Sequence, residues 1–119
     1  MDKETIEHLG ALILPKEVFN HFELVEIADS AKQVDLFLDE RSNPPQTTGF
    51  SSKGFTEQAV IQDFPIRGKA VYLHIRRRKW LDHQTNKIVT SSYDLAHLGT
   101  QITQEFSDFL KGFHRKLRH

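Results

Sequence analysis

The chain has 119 residues and no cysteine, and sixteen Lys or Arg balance sixteen Asp or Glu, so the formal net charge is zero. This length suits a single domain over residues 1–119, and the lack of cysteine excludes disulfide scaffolds and thiolate metal sites. The N-terminal MDKETIEHLG lacks the basic start and apolar run of a signal peptide, and no window approaches a membrane span, so we expect a cytoplasmic protein.

The first 22 residues predict two short helices. Apolar residues recur at helical spacing from Ile6 to Ile13, and Asp2 stands where it can cap this helix. Pro15 closes the first helix or starts the next turn, and KEVFNHF predicts a second helix.

A β-hairpin and a loop are predicted next. FELVEI and QVDLFLDE alternate apolar and polar residues on either side of a turn at ADSAK, which predicts two antiparallel strands. Residues 41–54 are rich in Pro, Ser, Thr and Gly, so we expect a long mobile loop there.

A second hairpin is predicted from FTEQAVIQDF, which returns through PIRGK into AVYLHIRRRKW. Its alternation predicts that Val71, Leu73 and Ile75 point into the core. A turn at LDHQTNK should lead to KIVTSSYDL as a third strand of the same sheet.

A final helix is predicted from about Thr103 to Leu117, and its apolar stripe includes Phe106, Leu110 and Phe113. The whole pattern predicts an α+β fold, with an antiparallel sheet of two hairpins plus an added strand, short N-terminal helices and a C-terminal helix.

The second hairpin also carries the candidate binding site. The face opposite Val71 would present aromatic rings and guanidinium groups together, beside the cation run that ends at Lys79. Arg pairs phosphate oxygens bidentately and rings stack on bases, so this pattern favours a nucleic-acid ligand. The alternative is a half-exposed strand whose charged end keeps the sheet edge soluble.

Charge is divided unevenly along the chain. Residues 1–63 contain five Lys or Arg and twelve Asp or Glu, whereas residues 64–119 contain eleven and four. We therefore distinguish an acidic helix and hairpin (1–54) from a basic hairpin and C-terminal helix (55–119). The final helix adds a cationic stripe, although solvated helix faces often carry one. The predicted DNA-binding residues are Tyr72, His74, Arg76, Arg78, Lys79, Trp80, Lys111 and Arg115.

No catalytic or metal motif stands out. The chain has no cysteine nucleophile, no Gly-x-Ser-x-Gly elbow and no phosphate-binding Gly-rich loop. Its seven histidines lack the close pairing of zinc sites, except for His114 and His119 near the end of the chain. We expect no catalytic residue, no metal and no cofactor.

The second half of the chain contains an ordered set of residues, namely Ile61, Asp63, Pro65, Gly68, Val71, Leu73, Ile75, Arg76, Arg77, Arg78, Gly99, Thr103, Phe106 and Leu110. This set resembles the N-terminal region of bacterial insertion-sequence transposases of the ISL-three and ISAon-one groups. The resemblance covers about residues 55–112, and the acidic N-terminal part resembles the ISAon-one type. In the ISL-three group, cysteines of a small zinc finger follow the arginines, whereas KWLDHQTNKIVTS contains none.

The resemblance implies a region that recognises the DNA at the ends of an insertion element, either alone or together with a separate catalytic transposase chain. A rival interpretation is a protein-interaction or self-assembly module whose basic half docks an acidic surface. A basic face uninterrupted by the acidic hairpin would favour DNA, whereas neutralised patches would favour assembly.

Overall fold

The computed structural model describes residues 2–44, 48–66, 68–91, 93 and 97–102. The elements are α1 (Lys3–Ile13), α2 (Lys16–His21), β1 (Phe22–Asp29), β2 (Gln33–Glu40), β3 (Phe50–Phe55), β4 (Ala59–Ile66), β5 (Lys69–Arg76), β6 (Arg78–Asp82) and β7 (Lys87–Thr90). Residues 97–102 are also helical. None of the helices in these ranges has the length and apolar character needed to cross a membrane.

Helix α1 begins and packs as its sequence predicts. Asp2 is the N-cap, and its Oδ1 atom accepts a 2.7 Å hydrogen bond from the Thr5 backbone N–H. The buried face of the helix lies against β1, and a Cβ atom at Gly10 would come within 3.3 Å of the Leu24 Cβ. Gly10 therefore allows the helix to approach the strand closely.

The two predicted hairpins are confirmed, and together they form a four-stranded sheet in the order β1-β2-β5-β4. Strands β1 and β2 are antiparallel, as are β4 and β5. The inner strands β2 and β5 run parallel, so the sheet is mixed rather than purely antiparallel. Parallel neighbours require a crossover connection, and the segment that contains β3 supplies it.

The core lies on one face of this sheet. Leu36 pairs in register with Leu73, and Val71, Leu73 and Ile75 are buried as predicted. Ile102, in the C-terminal helix, joins the same core. Residues 97–102 are helical, whereas the final helix was predicted to begin at about Thr103. The expected contributions of Phe106, Leu110 and Phe113 lie outside the described residues.

A second, three-stranded sheet has the order β3-β6-β7 and corrects two expectations. The predicted loop over residues 41–54 ends in strand β3, which pairs with β6. Strand β7 pairs with β6 and not with the main sheet. The reason is that AVYLHIRRRKW breaks at Arg77, whose backbone exchanges hydrogen bonds with Thr56, so β5 and β6 belong to different sheets.

The core assignment predicts a large difference between two leucines. Leu36→Ala should lower the free energy of unfolding by about 2 to 5 kcal/mol, because Leu36 is fully buried between two strands. Leu12→Ala removes the same atoms from a residue that is 67% exposed, and it should change the free energy of unfolding by less than about 0.5 kcal/mol. Urea unfolding measures both, and equal losses would contradict the assignment.

Candidate nucleic-acid interface

The face of the main sheet opposite the core carries polar rows from two adjacent strands. Tyr72, His74 and Arg76 follow one another on β5, on the face predicted from the alternation. The parallel register sets Asp35 beside Tyr72 and Asp39 beside Arg76. An acidic row from the first hairpin therefore adjoins the basic row of the second.

Arg76 is held by a bidentate ion pair with Asp39. Its Nε and Nη2 atoms donate to the two carboxylate oxygens at 2.8 and 2.6 Å. The side chain of Asp39 is 12% exposed and that of Arg76 is 40% exposed. Hydrogen bonding to Asp39 raises the pKa of Arg76 above its usual value. The charge of this arginine is therefore largely neutralised by its own fold.

Arg78 is held by the next acidic residue, Glu40, which is buried. The backbone N–H of Arg78 donates to Glu40 Oε1 at 2.7 Å, and its Nε donates to the Glu40 carbonyl at 2.9 Å. Tyr93 donates its hydroxyl to Glu40 Oε2 at 2.7 Å. The buried carboxylate is therefore satisfied from both sides.

A phenylalanine ring joins the two arginines. The guanidinium carbons of Arg76 and Arg78 lie 4.3 and 4.6 Å from the centre of the Phe55 ring. Such contacts are attractive because the ring face is electronegative. Asp39, Glu40, Phe55, Arg76 and Arg78 form what we call the arginine–carboxylate junction, which connects β2, β3, β5 and β6.

His74 is also engaged within the protein. Its Nε2 atom lies 2.7 Å from Asp35 Oδ1, its Nδ1 atom lies 3.0 Å from Gln58 Oε1, and its ring stacks on Phe37 at 4.3 Å. Hydrogen bonds from Gln33 and then His74 lower the pKa of the Asp35 carboxyl. His74 therefore has a structural role that the sequence did not predict.

Trp80 corrects the predicted aromatic face. It is 5% exposed and lies between Ser52 and Val89 in the register of the second sheet. Because the chain changes sheets at Arg77, Trp80 does not continue the row of Tyr72. A buried indole cannot stack on a base without rearrangement.

The remaining predicted residues differ in position. Tyr72 and Lys79 are half-buried, on β5 and β6 respectively. Lys111 and Arg115 lie outside the described residues. The eight predicted residues are thus not one exposed surface in the part of the chain that the structure describes.

Sequence reasoning missed the residues that bind the arginines. The alternation in QVDLFLDE did place Asp35 and Asp39 on the polar face. Their pairing with β5 follows from the parallel contact between hairpins, for which the sequence has no local signal. Arg77 was also missed as a structural residue, although its Nη1 donates to the Ser91 carbonyl at 2.8 Å.

Charge is nevertheless segregated between the sheets. Strands β1 and β2 contain six Asp or Glu and no Lys or Arg. The second sheet carries one lysine on each strand, namely Lys53, Lys79 and Lys87, and Asp82 is the acidic residue of these strands. Among the described residues, none of the three lysines forms a salt bridge.

Metal binding finds no support among the described residues, since no group of three or more His, Cys, Asp or Glu side chains is arranged to hold an ion.

Comparisons with protein families, with curated proteins and with solved structures find no match to this chain.

The junction predicts unequal effects of two Asp→Asn changes. Asp39→Asn should lower the free energy of unfolding by about 1 to 2 kcal/mol, because the mostly buried amide keeps one acceptor for Arg76 but turns an N–H towards its other donor. Asp29→Asn breaks a 2.7 Å pair with Lys69 whose side chains are 61% and 32% exposed, and should cost less than about 1 kcal/mol. Urea unfolding at low salt compares them, and a larger loss in Asp29→Asn would contradict the assigned role.

Tyr93 predicts an alkaline loss of stability. Burial, followed by its hydrogen bond to Glu40, raises the pKa of Tyr93 from 10.0 to about 12. The pKa of Tyr93 is higher in the folded protein than in the unfolded chain. Its contribution to the free energy of unfolding is therefore complete below pH 10 and is lost as the pH rises towards 12.

Near-ultraviolet titration of a Tyr72→Phe variant isolates the Tyr93 phenol. Glu40→Gln in that background should lower the midpoint only in part, because burial is the larger cause. A midpoint near 10 in the folded protein would show that the phenol is not held as the structure places it.

Proposed function

We propose that this chain is a non-catalytic DNA-binding module of an insertion-sequence transposition system, and that it recognises the DNA at the ends of the element. The observation that carries the proposal is the segregation of charge, with Lys53, Lys79 and Lys87 on the second sheet and the carboxylates concentrated in β1 and β2. A concentration of positive charge on one sheet attracts a polyanion even when the net charge is zero.

In this proposal the arginines have a different role from the lysines. Arg76 and Arg78 hold the junction and orient the second sheet, and the lysines of that sheet contact phosphates. Arg76 keeps 40% of its side chain exposed, so a phosphate can reach it. That phosphate competes with Asp39 for the guanidinium group of Arg76. Lys111 and Arg115 extend the basic surface if the final helix lies beside it.

The catalytic step belongs to a separate transposase chain in this proposal. This division is supported by the resemblance of the chain to ISAon-one transposases, which rests on residues such as Ile61, Pro65, Gly68 and the arginine run. The module supplies recognition, and its partner supplies strand transfer in DNA recombination.

Salt dependence tests the proposed contacts. Each phosphate contact contributes about −0.9 to the slope of log affinity against log salt, so Lys53→Gln/Lys87→Gln should flatten the slope by up to about 1.8. These lysines are exposed, so the fold should persist. Arg76 and Arg78 are poorer targets, because replacing them would change folding and binding together.

The matched control is Lys16→Gln/Lys32→Gln, which removes the same charge from exposed lysines on the acidic half. Fluorescence anisotropy with duplex DNA from the element ends measures both. A slope that changes equally in the two variants would reject the second sheet as the contact surface, and a slope near zero in the wild type would reject DNA binding.

Assembly is the second candidate function, and the neutralised junction favours it. Arg76 faces an internal carboxylate rather than an open basic patch. In addition, Val60 on β4 and Ile88 on β7 are 55% and 52% exposed, on strands at the edges of the two sheets. Edge strands can pair with another chain.

Sedimentation velocity without DNA tests this alternative. Assembly predicts a mass that rises with protein concentration and falls in a Val60→Lys or Ile88→Lys variant. A monomer at all concentrations, together with salt-dependent DNA binding, would leave the DNA proposal as the function of this chain.

A further inference from the structure

A cavity of about 400 Å³ lies among helix α1, helix α2, strand β1 and the residue that follows β2. This volume is in the range of small-molecule sites, which combine apolar walls with a few polar groups. Ile6 and Leu24 supply apolar walls, and Arg41 supplies a guanidinium group. The lining shares no residue with the second sheet.

Arg41 is fixed in position by three contacts. Its backbone N–H donates to the His21 carbonyl at 2.8 Å, and its Nε donates to the Phe19 carbonyl at 2.7 Å. The guanidinium carbon lies 4.5 Å from the centre of the Phe19 ring. The planar group is therefore held in one orientation before any ligand binds.

One nitrogen of this fixed group has no acceptor. Arg41 Nη2 is buried and has no hydrogen-bond partner among the described residues. A buried charged donor that is left unpaired is costly, and native proteins seldom leave one without a partner, a water or a ligand. The nitrogen therefore calls for an acceptor, and a ligand in the cavity that Arg41 lines provides one when the side chain turns towards it.

The other charged residues of the lining restrict the ligand. Lys3 adds a second cation, while Glu7 and Glu23 add two carboxylates. Together with Arg41, these residues give the lining two positive and two negative charges. A dianion such as a phosphate monoester would be repelled by the two carboxylates and would gain little net attraction. A carboxylate carries a single charge, so it meets less repulsion from the glutamates and can pair with Arg41.

We propose that this cavity binds a small molecule in which one carboxylate is joined to an apolar group. The carboxylate accepts a hydrogen bond from Arg41 Nη2, and the apolar group lies against Ile6 and Leu24. The site is separate from the proposed DNA-contacting lysines, so neither proposal depends on the other.

Two probes that differ in one group test the proposal. 4-Phenylbutyrate has the carboxylate and the apolar group, whereas 4-phenylbutan-1-ol keeps the apolar group and replaces the carboxylate with an alcohol. The acid should bind about tenfold more tightly or better, since it gains a charge-assisted hydrogen bond. In an NMR titration, the acid should shift the methyl signals of Ile6 and Leu24. Both signals should saturate and give the same dissociation constant.

Variants locate the carboxylate. Arg41→Gln should abolish the preference for the acid, and Lys3→Gln should weaken acid binding by a few-fold. Lys16→Gln removes the same charge from an exposed residue that does not line the cavity and should leave binding unchanged. Circular dichroism confirms that each variant is folded.

Equal affinities for the acid and the alcohol, or shifts confined to residues outside the cavity, would overturn the proposal. If Arg41→Gln does not fold, the comparison of the two probes on the wild type and on Lys3→Gln still decides. DNA is absent from these measurements, so their failure would not bear on the DNA proposal.

Discussion

The arginine–carboxylate junction is the interaction on which the rest of the structure depends. Asp39 and Glu40 end strand β2, and Arg76 and Arg78 lie on either side of the break between β5 and β6. The carboxylates are buried, so each needs the hydrogen bonds that the arginines donate. The junction therefore determines both where the main sheet ends and how the second sheet leaves it.

This arrangement changes how the basic run should be interpreted. Consecutive cations in a sequence suggest an open electrostatic surface, yet Arg76 is paired with Asp39 and Arg77 donates to the Ser91 carbonyl. Their charge contributes to folding before it contributes to binding. The lysines of the second sheet, which form no salt bridge among the described residues, are better placed to contact phosphates.

The two halves of the chain also differ in what they offer to ligands. The acidic half packs α1 on β1 through Gly10 and leaves a cavity beside Arg41. The second sheet, in which β3 pairs with β6 of the basic half, carries Lys53 and Lys87 exposed. The proposed carboxylate ligand suits the first environment and the proposed DNA ligand suits the second, so the two proposed sites differ in their chemistry.

Local patterns in the sequence were sufficient for the hairpins, the capped first helix and the core positions on β2 and β5. Period-two alternation determines which side chains of a strand share a face, and Asp2 meets the hydrogen-bonding needs of a helix start wherever the helix packs. The same alternation correctly placed Tyr72, His74 and Arg76 opposite the core. These features depend on neighbours in sequence.

Only the tertiary structure decided the parallel contact of β2 with β5, the break at Arg77 and the burial of Trp80. Each depends on residues far apart in the chain, such as Asp39 with Arg76 or Ser52 with Trp80. No local spacing encodes such a pairing, because its energy comes from burying both partners together. The sequence by itself determined which residues could bind an anion, and the fold decided which of them are already paired with a carboxylate of the protein.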